Sequence, residues 1–317
     1  MTALPVELAW RLAACPPERH WLIDGLWADQ AVGIVGGEPK CCKSFLALDL
    51  AVAVAAGVPC LRRFPARGPG RVLLFAAEDA LHVVRDRLEG ICGAADVRLT
   101  DLDLHVITAP TVRLDLATDQ RRLTETIAAL RPVLLVLDPF VRLHRIDENA
   151  SAEVAPLLAF LRDLQRRFAL AVVLVHHARK GAAGIRDGQA LRGSSEFHAW
   201  GDSNLYLRRR GEQLTLAVEH RAAPSRTAFP IGLRACTNPA SLALTVLDDA
   251  GPTPTSAVPA SATDKIERAL ADATAPLPLA SLRRSCHLRT ATLCETLARL
   301  TTTGRIRKTS AGYELSR

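Results

Sequence analysis

Hydrophobic patterning divides the chain into stretches of different character. Up to about residue 200, short unbroken apolar runs recur: "AVGIVGG" (31–37), "RVLLFAAED" (71–79), "DLHVITA" (103–109), "PVLLVLDPF" (132–140) and "LAVVLVHH" (170–177). Continuous Val/Ile/Leu runs of this length, ended by polar residues, mark strands buried on both faces. Longer stretches with helical spacing lie between them, so the alternation predicts an α/β fold with a mainly parallel sheet covered by helices. After His198 the style changes to "SNLYLRRR" (203–210), "EQLTLAVEHR" (212–221) and "SLALTVLDD" (241–249), separated by polar turns. These predict antiparallel strands appended to the sheet.

Residues 251–262, "GPTPTSAVPASA", carry no charge and are dense in Pro, Ser, Thr and Ala. Such a composition cannot bury a core and suits a linker, which places domains at 1–250 and 263–317. Beyond the linker, "DKIERALADAT", "LASLRRSC" and "RTATLCETLARLTTTGR" read as three helices and "IRKTSAGYELS" as a hairpin. Three helices and a β-wing predict a small winged-helix domain.

Composition adds two constraints. The eight cysteines form no repeated C-x-x-C spacing, which argues against a zinc site or a disulfide scaffold and for a reduced, cytoplasmic protein. The N-terminus lacks a basic start followed by a long apolar stretch, and the most apolar run, Phe45 to Val58, is interrupted by Asp49. Neither secretion nor membrane insertion is expected. The formal charge of +7 is concentrated late, with ten basic against five acidic residues from Ala262 onward. A basic tail suits a nucleic-acid contact or a solvated face.

The chemistry concentrates in "GEPKCCKS", Gly37-Glu38-Pro39-Lys40-Cys41-Cys42-Lys43-Ser44, followed by Phe45. Strand, loop and helix follow one another as a phosphate-binding loop requires: backbone N–H groups cradle phosphate oxygens, Lys43 reaches the terminal phosphates and the Ser44 hydroxyl meets magnesium. Cys42 replaces the glycine expected before the lysine. Cysteine is small, and the position begins the helix, where a left-handed backbone is not expected to be demanded. Glu78 ends one strand and is placed to orient or deprotonate an attacking water. Asp138 ends "LLVLD", placed to hold magnesium through water. His176 and His177 end a further strand and are candidates to sense the γ-phosphate, or are core and surface histidines.

In this order, the P-loop, "AAED", "LLVLDPF", "VHHARKG" and "LRGSSEFHAWGDSNLYL" resemble RecA-like P-loop ATPases, specifically the RepA-type hexameric replicative helicases of plasmids and mobile elements, over roughly residues 20–250. The resemblance implies a RecA-like core, ATP with Mg2+, and a homo-oligomeric ring, a hexamer, with sites between neighbouring subunits. It implies Lys43 and Ser44 on phosphate and magnesium, Glu78 as catalytic base, Asp138 as the acid near the metal, His177 as sensor and Arg221 as an arginine finger acting on the neighbour's ATP. In the loop "ARKGAAGIRDGQALRG", Arg179, Lys180 and Arg186 become candidates for single-stranded DNA, with Arg192 near the subunit interface. In the tail, Arg289, Arg299, Arg305, Arg307 and Lys308 are placed for duplex DNA, unless that domain docks a protein instead. The expected function is a DNA-associated ATPase or helicase of a mobile element. Its rivals are a DNA-binding regulator that hydrolyses ATP weakly or not at all, and an ATP-gated helicase loader.

Overall fold

The computed structural model describes residues 6–11, 21–177, 196–235, 242–247, 262–271, 273, 276–286, 290–309 and 312–315. The chain separates into two compact units, Met1–Asp248 and Asp249–Arg317.

In chain order the first unit contains β1 (Trp21–Ile23), β2 (Trp27–Ala28), β3 (Val32–Gly37), α1 (Lys43–Ala56), β4 (Val72–Ala76), α2 (Leu81–Ala94), β5 (Leu104–Val106) and α3 (Ala117–Leu130). It continues with β6 (Leu134–Asp138), α4 (Ser151–Phe168), β7 (Ala171–His177), α5 (Glu196–Trp200), β8 (Ser203–Arg210), β9 (Gln213–His220), β10 (Arg226–Ala235) and β11 (Leu242–Val246). A nine-stranded sheet runs in the order β11-β10-β9-β8-β3-β7-β6-β4-β5. From β8 to β5 every pairing is parallel, and β9, β10 and β11 extend it antiparallel. The expected fold class therefore holds: a mainly parallel sheet with an antiparallel extension.

The apolar runs explain the layers. Side chains alternate along a strand, so Val35, Leu74, Val136 and Val175 join α1 and α2 in one core, while Ile34, Phe75, Leu137 and Leu174 join α3, α4 and α5 in another. Helix α1 has eleven buried residues out of fourteen, so it is apolar nearly all round, as a helix embedded in a core must be. It ends on Gly57 in the left-handed conformation (φ 69°), whose N–H caps Ala53 O.

Two features depart from expectation. The hairpin β1–β2 and strand β10 were not foreseen. Pro230 lies within β10, where proline removes a ladder donor and argues against a strand. The register between β9 and β10 shifts from Arg226 to Phe229, next to that proline.

The second unit contains α6 (Ala262–Ala271), α7 (Leu279–Cys286), α8 (Thr290–Thr302), β12 (Ile306–Lys308) and β13 (Tyr313–Leu315), the two strands pairing antiparallel. Ile266, Leu270, Leu282, Leu293, Leu297, Leu300 and Ile306 build its own small core.

Candidate functional site

The parallel strands β3, β4, β6 and β7 end on the same edge of the sheet. Register alone thus carries the phosphate loop, Glu78, Asp138 and His177 to one place. They line a cleft of about 290 Å³ formed by residues 40–45, Glu78, Arg87, Asp138, Pro139, Val175 and His177.

The loop's shape follows from close packing. A Cβ on Gly37 would lie 2.5 Å from Leu207 O and 2.6 Å from Cys41 Sγ, so only glycine fits there. Glu38 O accepts from Lys43 Nζ at 2.8 Å and from Cys41 Sγ at 2.8 Å, pulling the turn tight. Lys40 and Cys42 both have left-handed backbones (φ 63° and 64°). For Cys42 this corrects the expectation of an ordinary helix start: the position does demand the left-handed region, because the chain reverses there before Cys42 O accepts the first helical bond from Leu46 N. A non-glycine residue in that region is strained by about 1 kcal/mol.

The site holds charges in dry surroundings. Lys43 is buried, and desolvation pushes its pKa down, opposed by Cys41, Asp138 and Glu78. Asp138 is likewise buried, and desolvation pushes its carboxyl up to about 6, against a hydrogen bond from the Ser44 hydroxyl. Burial also raises the Cys41 thiol. Glu78 is more open, accepting from Arg142 Nε at 2.8 Å, while Asp79 pairs with Arg87, whose guanidinium lies 5.1 Å over the Phe45 ring. A hydroxyl and a buried carboxylate in hydrogen-bond contact form an oxygen donor set suited to a hard divalent cation. A buried ammonium beside a left-handed loop at a helix start suits phosphate.

The two histidines separate. His177 faces the cleft. His176 is buried on the other face, stacked on Phe197 at 4.3 Å and 4.0 Å from the Glu148 carboxylate, so it belongs to the core rather than the phosphate site. Strand alternation makes this separation unavoidable.

The remaining candidates lie elsewhere. Arg221 follows β9 at the opposite edge of the sheet, bonded to Asp202 (3.0 Å) and to Ala199 O. Arg179, Lys180, Arg186, Arg192 and Arg289 lie outside the described residues. Arg299 donates to Thr263 Oγ1 at 2.8 Å, Arg305 pairs with Glu267 at 2.8 Å, Arg307 with Glu314, and Lys308 lies over the Tyr313 ring. Arg87, within α2, and Arg142, in the short turn after β6, reach the site without any signal in the sequence pattern.

The model of a family described as an AAA domain matches residues 2–183, more than half the chain. The chain belongs to the AAA domain family. This AAA-type domain is therefore a P-loop ATPase domain, a class that takes ATP with Mg2+. Among solved structures, a KaiC-like protein from the hyperthermophilic archaeon Pyrococcus horikoshii OT3 is similar, at 13% identity and a TM-score of 0.47, covering 70% of this chain and 93% of that one. No helix among the described residues is long and apolar enough to cross a membrane.

Proposed function

We propose that this AAA-type domain hydrolyses ATP as an oligomeric, DNA-associated motor of the RepA-like helicase kind. The observation that carries the hydrolytic part is the convergence of Lys43, Ser44, Glu78, Asp138 and His177 on one cleft at the strand ends. Loop N–H groups and Lys43 hold the phosphates. Ser44 and Asp138 hold magnesium, which supplies positive charge to the phosphate oxygens when bound. Glu78 orients a water and accepts its proton as the water oxygen attacks the γ-phosphorus; the bond to the β-phosphate oxygen breaks and ADP leaves. Lys43 stabilises the negative charge on the transferred group, and His177 donates towards it.

Arg221 lies at the far edge from its own cleft, paired with Asp202, so its finger role requires a neighbouring copy and release from that pair. DNA association is supported by the basic loop segment after His177 and by the excess of basic residues in the tail, read as a winged helix. The test is Mg2+-dependent ATP hydrolysis with and without single-stranded DNA, with Lys43→Ala as the blank. DNA-stimulated turnover lost in the variant is expected, and turnover no higher than the blank in folded protein would overturn the reading. The strained Cys42 favours one rival, a static nucleotide-binding regulator, in which Glu78→Gln would change nothing.

A further inference from the structure

Strand β8 pairs parallel with β3, setting Leu207 opposite Gly37, so its last residues stand beside the phosphate loop. Leu205 and Leu207 point into the core shared with α1, and Tyr206 into the other. Alternation places Arg209 on the Leu205–Leu207 face, one step past the buried core and next to the start of α1. There its Nη2 donates to Cys42 Sγ at 3.7 Å.

That contact is a weak one, because a thiol is a poor acceptor. Arg209 is exposed, and among the described residues no carboxylate pairs with it. Of the other cations around the cleft, Lys43 is committed to Glu38 O, Arg87 to Asp79 and Arg142 to Glu78, whereas Lys40 is exposed on the loop itself. A guanidinium held only by sulfur beside a phosphate cradle gains by moving to an anionic oxygen, where the hydrogen bond is charge-assisted and can be bidentate. Strand order indicates which phosphates it meets. His177 and Asp138 end β7 and β6 and Glu78 follows β4 on one side of β3, whereas Arg209 is the penultimate residue of β8 on the other. The reacting γ-phosphoryl belongs to the first side and the inner phosphates to the second.

We propose that Arg209 is a phosphate-binding residue of the cleft, exchanging the Cys42 thiol for oxygens of the α- and β-phosphates that ADP and ATP share. The assignment rests on the ATPase reading above. It also gives Cys42 a role: the residue at the strained loop position keeps the arginine docked on the cradle.

Calorimetric titration of ADP and of ATP into wild type, Arg209→Ala, Arg209→Lys and Lys43→Ala tests it. Arg209→Ala should weaken both nucleotides alike by about tenfold. Arg209→Lys should recover part of the loss, and the melting temperature without nucleotide should stay at the wild-type value. ADP affinity within twofold of wild type in Arg209→Ala would overturn the proposal and leave the ATPase reading standing, as would a loss confined to ATP. Folded wild-type protein that binds neither nucleotide would remove both.

Discussion

The two edges of the central sheet carry the same kinds of group in opposite states. At the amino edge of the parallel strands, Asp202 accepts from Arg162, from Arg221 at 3.0 Å and from Val32 N at 3.2 Å. Ser203 and Asn204 beside it take Ala28 N and Ile34 N. These three charges are matched, and the effect is to pin the strands. At the carboxyl edge, Lys43 and Asp138 are buried in surroundings that push both towards neutrality. Compensated charges hold a fold together, whereas undercompensated ones in a cleft mark the place where chemistry is done.

Substitutions that act at one edge and spare the other sharpen this contrast. The largest effect is expected from Glu78→Gln, which should lower ATP turnover about a thousandfold with nucleotide binding retained; steady-state kinetics beside a binding titration would show it. Next comes Asp138. Its folded pKa of about 6 lies above the ordinary 3.8, so the native state holds its proton more tightly than the unfolded chain. Stability from this group is complete below about pH 4 and lost as pH rises through 6, a change on the order of 3 kcal/mol. Asp138→Asn should therefore match wild type in urea unfolding at pH 4 and exceed it by about that amount above pH 6, measured without magnesium.

At the opposite edge, Asp202→Ala should cost about 2 kcal/mol by leaving Arg162 and Arg221 without their carboxylate. Thermal melting would detect it, and an unchanged melting temperature would erase the contrast between the edges. The smallest effect is at the loop: Cys42→Gly should stabilise the protein by about 1 kcal/mol by relieving the left-handed backbone. Equal or lower stability in that variant would mean that the Arg209 contact outweighs the strain.

Much of this was legible in the chain itself, and for a common reason. Buried parallel strands are unbroken apolar runs, so Glu78, Asp138 and His177 stand out as the polar residues that end them. Parallel register then does the assembling. What escaped the pattern depends on backbone angles and packing. Nothing in "PKCCKS" says that the chain must reverse at Cys42. Pro230 hid β10, because proline argues against a strand, yet it keeps its place opposite Thr215. Arg87 comes from within α2 and Arg142 from a short turn after β6, and nothing in the pattern marks either as reaching the site. The split between His176 and His177, by contrast, follows from strand alternation and is legible once the strand is recognised.

Helix α1 carries one further implication. Because it is gripped by apolar neighbours on almost every side, it can neither slide nor tilt without tearing open a core, and the phosphate loop is mounted on it as on a fixed post. Such a mount needs little ordering to receive a ligand. Any response to gaining or losing phosphate is then expected where packing is thin, as at the exposed Arg142–Glu78 contact, and in the proposed motor that contact would move first while the loop stays anchored.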